Sequence, residues 1–241
     1  MKKTIVIVGP TGSGKTGVAI DVALRLNGEV ISADSRAIYK GMDIGTAKPT
    51  KKEMKGVRHF GIDLVNPGER FTVADFKEYA LAAIADIRGR GKVPIIAGGT
   101  GLYVDAVIYD YSFGDVVKNT YADRQEMGSE YVVVGIEWER EVLRQRLVER
   151  ANKLFAQDIV GETKMLVEKY GWENQAMKSN IYPIAWRMMQ GEIGLEEAER
   201  LFALDDWHLA RRQMTWFARN KKIKWLGIDE IKEYLYNIGN E

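Results

Sequence analysis

The stretch TIVIVGPTGSGKTGVAIDVALRL, residues 4–26, decides the fold of this chain. Its first five residues are mostly apolar and β-branched, which is typical of a buried strand in a parallel sheet. A glycine-rich turn follows, and after it apolar residues recur at helical spacing. The turn, residues 9–16, matches the pattern G-x-x-x-x-G-K-[ST] of a P-loop, in the strand–loop–helix context that this motif requires. We therefore predict a phosphate-binding loop at the end of the first strand.

Each residue type in this loop suits phosphate binding. The glycines let successive backbone N–H groups converge on phosphate oxygens, and the N-terminus of the following helix adds partial positive charge. Lys15 can reach the outer phosphate, and the hydroxyl of Thr16 is placed to bind Mg²⁺. The loop is typical of ATP-binding proteins and leaves the reaction open, with phosphoryl transfer as the default. The strand at 93–97, however, ends in Gly-Gly-Thr without a carboxylate, and an acid stands instead at Asp34.

Strands and helices alternate in the chain beyond this unit. Amphipathic spacing predicts a helix at 73–88, and short apolar runs predict strands at 29–33, 59–65, 93–97 and 131–136. This alternation indicates βαβ units. The predicted fold class is therefore α/β, with a P-loop NTPase-like parallel sheet that helices cover on both faces.

The character of the sequence changes near Trp138. Helical periodicity dominates from there, without a convincing strand, over 138–155, 158–170, 176–190, 195–203 and 207–219. We predict a P-loop α/β core at 1–137 and a helical C-terminal part at 138–241 packed on it. The polar, poorly periodic segment 110–130 is expected to form a mobile loop in the core.

Composition excludes several classes of protein. The chain has 241 residues, 46% of them hydrophobic, so it can bury a proper core. It has no Cys, which excludes disulfide scaffolds and thiolate zinc sites. With two His in the sequence, a histidine-rich metal site is not expected. No apolar run approaches the roughly 20 residues that a membrane helix needs, so no membrane partner is expected. Since the N-terminus enters a strand directly, we expect no signal peptide and a cytoplasmic protein.

The net charge of +1 conceals an uneven distribution of charge. Residues 1–60 carry a net charge of +6, residues 61–206 carry −8, and residues 207–241 carry +3. Six basic residues and no acidic one lie between Trp207 and Trp225. A phosphate-binding surface needs local positive charge, so the small total does not exclude a nucleic-acid partner.

Four motifs resemble those of tRNA dimethylallyltransferases, the isopentenyl-pyrophosphate tRNA transferases. They are DSRAIYKGMDIGTAKP at 34–49, the pair HFGID at 59–63 and FTVADF at 71–76, GGTGLY at 98–103, and RRQMTWF at 211–217. They occur in the order of the family. The string IGTAKP separates this family from P-loop kinases in general.

The resemblance implies that the exocyclic amine of an adenosine next to the tRNA anticodon attacks dimethylallyl pyrophosphate and releases pyrophosphate. It implies a monomer, Mg²⁺ as the cofactor with Thr16 as its ligand, and tRNA and dimethylallyl pyrophosphate as partners. The implied catalytic residues are Asp34 as the base, Thr100, Lys15 and Arg212. The implied pyrophosphate-binding residues are Gly9, Thr11, Gly12, Ser13, Gly14, Lys15, Thr16, Arg212 and Arg219. The implied tRNA-binding residues are Asp34, Ser35, Arg36, Ala37, Thr46, Lys48, Thr100, Arg124 and Arg211.

Three features depart from the family pattern. Ala218 stands where members commonly carry Arg, and Arg219 follows it at about 100° around a helix. The helical insertion that grips the anticodon stem is reduced to about 20 residues at 110–130, where Arg124 can replace an arginine of the insertion. Of a paired His, His59 alone is kept, and we expect a structural role for it.

Three alternatives stay open at this point. An adenylate dimethylallyltransferase, which modifies free AMP, ADP or ATP, would suit the short chain. A small-molecule P-loop kinase would suit the loop alone, and an inactive RNA-binding module would suit the basic C-terminal stretch. Joint retention of Lys15, Thr16, Asp34 and Thr100 argues against the inactive module.

Overall fold

The computed structural model describes residues 3–113, 126–178 and 181–238, and the parallel sheet in it has six strands in the order β3-β2-β4-β1-β5-β6. The strands are β1 (Thr4–Val8), β2 (Gly28–Ser32), β3 (His59–Phe60), β4 (Val93–Gly98), β5 (Tyr131–Ile136) and β6 (Lys224–Leu226). The helices are α1 (Lys15–Leu26), α2 (Val73–Gly89), α3 (Gly101–Ile108), α4 (Arg140–Phe155), α5 (Ile159–Tyr170), α6 (Tyr182–Met189), α7 (Leu195–Phe217) and α8 (Ile228–Ile238).

The sheet is buried on both faces, which explains the continuous apolar runs of its strands. Side chains alternate across β1: Val6 and Val8 pack toward α2 and α3, whereas Ile5 and Ile7 pack toward α1 and α8. β1 lies between β4 and β5, with Val8 in register with Gly98. The loops that follow β1, β2 and β4 therefore meet at one edge of the sheet, where ligands bind in open α/β sheets.

A separate helical unit stands beside this sheet. Side chains of α4, α5, α6 and the first half of α7 form a buried apolar cluster apart from the two faces of the sheet. It contains Phe155, Tyr182 and Phe202. Met42, from the long connection after β2, also lies in this cluster. The helical unit thus reaches back to the connection that carries the 34–49 motif.

The strands predicted at 4–8, 29–33, 93–97 and 131–136 are confirmed, as is the helix predicted at 73–88. The strand predicted at 59–65 is confirmed for two residues, because the chain turns at Gly61 with φ of +79°. None of the helices in the described ranges is both long enough and apolar enough to cross a membrane.

Two features of the C-terminal part were not foreseen from the sequence. A strand does occur after residue 138: β6 has three residues, too few for periodicity to reveal, and it pairs with the edge of β5. The helices predicted at 195–203 and 207–219 form one helix, α7. Asp205 and Asp206 interrupt the apolar pattern there, but Asp206 is buried against Arg150 of α4.

Candidate active site at the carboxyl edge of the sheet

The P-loop is held from outside by side chains of α4 and the turn before it. Arg146 Nε donates to the carbonyl oxygen of Gly12 at 3.0 Å, and Trp138 Nε1 donates to that of Ser13 at 3.0 Å. Gly12 and Gly14 have φ of +72° and +90°, a backbone conformation that favours glycine. These contacts fix the carbonyl groups of the loop, as a preorganised anion site requires.

Lys15 lies over the loop among charges from three other elements. Its ammonium donates to the carbonyl oxygen of Pro10 at 2.6 Å. Burial lowers the pKa of Lys15 to about 8; Asp34 and Asp206 raise it, and Arg150 lowers it. Neither Asp206 nor Arg150 was singled out from the sequence. The one signal for Asp206 is its spacing, four residues from buried Phe202 and from Ala210.

Asp34 and Thr100, the two predicted catalytic residues, lie next to each other at the ends of β2 and β4. The backbone N–H of Ser35 donates to Thr100 Oγ1 at 3.0 Å, and that of Arg36 donates to Asp34 Oδ1 at 2.8 Å. Thr100 N donates to the carbonyl oxygen of Ala33 at 3.1 Å. Since Asp34 also acts electrostatically on Lys15, the P-loop and this pair form one site.

Gln213 of α7 joins the two halves of this site, a role not foreseen from the sequence. Its side-chain oxygen accepts a hydrogen bond from Thr11 N at 2.7 Å, and its Nε2 donates to the carbonyl oxygen of Gly99 at 3.0 Å. Three residues further on, Trp216 Nε1 donates to Asp105 Oδ2 at 2.9 Å and packs on the core. Trp216 is therefore a packing residue between α7 and α3.

The predicted arginines occupy different places on and after α7. Arg212 is exposed and lines a hollow of about 280 Å³ that includes Asp205 and Asp206. Arg211 is exposed as well. Arg219 lies beyond the last helical residue, so the angle expected for it on a helix does not apply. Its guanidinium is 5.6 Å from the ring centroid of Trp216.

Comparison with known proteins identifies the family and the fold. The model of the IPP transferase family matches residues 37–129 and 112–221. The chain belongs to the IPP transferase family. It is 35% identical to the tRNA dimethylallyltransferase of Acetivibrio thermocellus, over 96% of this chain and 93% of that protein. It is also 35% identical to the tRNA dimethylallyltransferase of Desulforudis audaxviator, over 94% of this chain and 92% of the relative.

Solved structures agree with this assignment. The full-length tRNA isopentenylpyrophosphate transferase from Bacillus halodurans superposes with a TM-score of 0.86, at 31% identity, over 100% of this chain and 97% of its own. The tRNA delta(2)-isopentenylpyrophosphate transferase from Staphylococcus epidermidis gives 0.84 at 32% identity, over 98% of this chain and 97% of its own. The predicted α/β fold class is therefore confirmed, and so is the resemblance.

For an IPP transferase this chain is short. The alignment with the Acetivibrio relative runs over 292 positions, more than the 241 residues of the chain, so part of the relative has no counterpart here. The two matches to the family model overlap at residues 112–129, which is where the sequence predicted a reduced insertion. Arg124 and most of this segment lie outside the described residues.

The remaining predicted residues of this IPP transferase lie on the connection after β2. Ser35 and Arg36 are half-buried, and Ala37 is buried. Thr46 is buried and its hydroxyl donates to the carbonyl oxygen of Met42 at 2.5 Å. The side chain of Lys48 is 5% exposed and pairs with two carboxylates. The side chains of Thr46 and Lys48 thus hold the connection together, and their contact with tRNA stays a prediction.

In this IPP transferase, His59 contacts the protein backbone at the edge of the sheet. Its Nδ1 is 2.9 Å from the carbonyl oxygen of Val57, and the residue lies in β3 beside β2. Burial lowers the pKa of His59, which favours the neutral ring. These observations agree with the structural role expected from the sequence.

The residues around the P-loop fit a magnesium ion. Thr16 is exposed in the first turn of α1, and within the described ranges no cluster of three or more His, Cys, Asp or Glu side chains forms a metal cage. Mg²⁺ is commonly held by one or two protein ligands together with substrate phosphates and water, and one hydroxyl at a P-loop provides such a ligand.

Proposed function

We propose that this protein transfers a dimethylallyl group from dimethylallyl pyrophosphate to the N6 amine of the adenosine 3′-adjacent to the anticodon in tRNA. One observation carries the proposal. In this member of the IPP transferase family, the P-loop and the pair formed by Asp34 and Thr100 meet at one edge of the sheet. The P-loop with Lys15 suits a pyrophosphate, and Asp34 beside Thr100 suits an acceptor amine. The names of the relatives, tRNA dimethylallyltransferase and tRNA isopentenylpyrophosphate transferase, support this proposal.

The proposed reaction makes one bond and breaks one bond. The N6 nitrogen attacks the allylic carbon, and the electrons of the carbon–oxygen bond leave with pyrophosphate. The lone pair of N6 is delocalised into the adenine ring, so the amine needs a base, and the carboxylate of Asp34 accepts its proton. Lys15 neutralises the negative charge that develops on the leaving group, and Arg212 adds a second positive charge. Mg²⁺ bound at Thr16 would supply further charge neutralisation at the pyrophosphate.

Thr100 has a fixed place in this proposal. Its hydroxyl accepts from Ser35 N and lies 3.3 Å from the hydroxyl oxygen of Ser35. The backbone N–H of Ser35 holds this oxygen in place, and the hydroxyl proton, which points to the Ser35 hydroxyl, can rotate toward a substrate. We propose that it forms a hydrogen bond near the reacting centre.

The deciding experiment supplies two acceptors. The protein is incubated with dimethylallyl pyrophosphate, Mg²⁺ and either unmodified tRNA or AMP, and digested products are analysed by mass spectrometry. Dimethylallyl adenosine is expected in tRNA and not in AMP. Modified AMP with untouched tRNA would contradict the proposal in favour of an adenylate dimethylallyltransferase. Phosphoryl transfer from ATP without any prenyl transfer would indicate a kinase.

The role of Asp34 is tested by Asp34→Ala. Removal of a general base is expected to lower turnover by about 10² to 10⁴-fold, while tRNA affinity stays within about twofold. Glu173→Ala, at an exposed position outside the site, serves as the control. Loss of tRNA binding together with turnover would assign Asp34 a structural role.

A further inference from the structure

One carboxylate from the helical unit holds the connection that carries the acceptor side of the site. We call residues 34–48 the substrate loop. Glu162 of α5 accepts hydrogen bonds from three successive backbone N–H groups of this loop, those of residues 43–45, at 3.0, 2.7 and 2.9 Å. The hydroxyl of Tyr182 donates to the same carboxylate at 2.8 Å. Four donors therefore converge on two oxygen atoms, which is the full capacity of an ionised carboxylate.

The surroundings allow little freedom for this contact. Gly45 is buried against Tyr182, and a Cβ added to the glycine would lie 2.4 Å from Cζ of the ring. Burial, and then the negative charge of Glu162, raise the pKa of Tyr182, so its hydroxyl stays protonated and donates. Tyr182 itself is fully buried in the core of the helical unit. The outer turn of the substrate loop is thus joined to a rigid support.

The turn at residues 43–45 is connected by hydrogen bonds to residues 34–36 at the start of the substrate loop. Lys48 donates to Asp43 at 2.8 Å and to the carbonyl oxygen of Tyr39 at 2.5 Å. Tyr39 N in turn donates to the carbonyl oxygen of Arg36. A short series of hydrogen bonds therefore joins Glu162 to the Asp34–Arg36 turn. The P-loop is held by different residues, from α4, the turn before it and α7.

We propose that Glu162 is a positioning residue for the tRNA acceptor, acting through the substrate loop and not through the pyrophosphate site. The proposal rests on the proposed function, because tRNA is the acceptor there. Its consequence is a selective defect. Loss of the carboxylate should weaken the use of tRNA and leave the use of dimethylallyl pyrophosphate unchanged.

Glu162→Gln is the primary test, because glutamine keeps the size of the side chain and replaces one acceptor oxygen with an NH₂ group that cannot accept from its donors. A hydrogen bond to a charged group contributes enough that the KM for tRNA is expected to rise about tenfold. The KM for dimethylallyl pyrophosphate and the kcat at saturating tRNA are expected to stay within about twofold. Glu168→Gln is the matched control on the exposed side of the same helix, and no change is expected for it.

Tyr182→Phe provides a second variant, which removes one donor and keeps the ring. A smaller rise in the KM for tRNA, about two- to threefold, is expected. A KM for tRNA within twofold of the parent in both variants would overturn the proposal. So would a fall in the midpoint of thermal unfolding with all kinetic constants unchanged below that midpoint, since that result assigns Glu162 to stability alone.

Failure of the proposed function can be distinguished from failure of the proposal for Glu162. If the proposed function is wrong, the parent protein itself does not modify tRNA. The Kd for an anticodon stem-loop, measured by fluorescence anisotropy in the parent and in each variant, still tests the substrate loop. Weaker binding in Glu162→Gln than in Glu168→Gln supports the positioning role. Equal binding overturns it.

Discussion

Lys15 shows how the charge of one residue depends on residues that are distant in the chain. Asp34 follows β2, Arg150 lies on α4 and Asp206 lies on α7, yet all three act on the ammonium of Lys15. Burial is the largest effect on its pKa, which falls to about 8. The P-loop motif predicts the position of this lysine, but no local pattern reports the charges that the fold brings to it.

The lowered pKa of Lys15 predicts a pH dependence of pyrophosphate-donor use. Because the pKa is lowered to about 8, the ammonium is protonated below pH 8 and becomes neutral above it. The kcat/KM for dimethylallyl pyrophosphate, which reports the free enzyme, is therefore expected to fall as the pH rises from 8 to 9.5. Lys15→Arg keeps its charge over this range and should give a flat profile at lower activity. A parent profile that is flat up to pH 9.5 would contradict the prediction.

At the scale of the element, α7 connects four parts of the molecule. Gln213 bonds to the P-loop and the Gly99 loop, Trp216 bonds to Asp105 of α3, and Asp206 pairs with Arg150 of α4. The sequence predicted helical structure here because apolar residues recur at the right spacing. The sequence also predicted a break in this helix near Asp206. The break does not occur, because Arg150, which lies 56 residues away, pairs with the buried carboxylate.

The same distinction applies to the other elements. β1, the P-loop and α2 were predictable because each has a complete local signal: an apolar run, a glycine-rich motif and a capped amphipathic helix with Thr72 as its N-cap. β6 was not predictable, since three residues become a strand by pairing with β5. In the site, motifs located Lys15 and Asp34, whereas Gln213 and Glu162 act through contacts across more than 100 positions.

The pair formed by Asp206 and Arg150 predicts a stability effect between α4 and α7. The side chain of Asp206 is 3% exposed and that of Arg150 is 20% exposed. Asp206→Asn leaves the arginine without its partner and is expected to lower the free energy of unfolding by about 2 kcal/mol. This loss is less than that of a fully buried pair, because Arg150 reaches water. Urea unfolding measures the effect.

Two further variants make this test specific. Asp205→Asn removes an exposed neighbouring carboxylate and should change the free energy of unfolding by less than about 0.5 kcal/mol. Asp206→Leu combined with Arg150→Met should restore most of the loss, since apolar pairs commonly replace buried ion pairs without cost. Equal stability of Asp206→Asn and the parent would show that the pair does not hold the helices together.

At the scale of the whole molecule, a chain of 241 residues contains a six-stranded sheet with the candidate site at its carboxyl edge, and it belongs to the IPP transferase family. The superposition on the Bacillus halodurans enzyme covers 100% of this chain and 97% of that enzyme, so the two share one overall fold. The net positive charge of the chain is confined to residues 1–60 and 207–241, because acidic residues outnumber basic ones in between. Binding of a polyanion would therefore depend on these two parts of the chain.

The short length of the chain predicts weaker discrimination among tRNAs. The family resemblance implies that the additional segment of longer members grips the anticodon stem, and here the corresponding position has about 20 residues. Fewer contacts to the stem should raise the Kd for the correct anticodon stem-loop by about tenfold relative to the longer Acetivibrio thermocellus relative at equal salt. They should also reduce the ratio between the affinities for correct and incorrect stem-loops. Because the chemistry lies in the retained core, turnover at saturating tRNA should be similar in the two enzymes. Nanomolar binding of the correct stem-loop, with strong rejection of others, would show that the core alone provides the specificity.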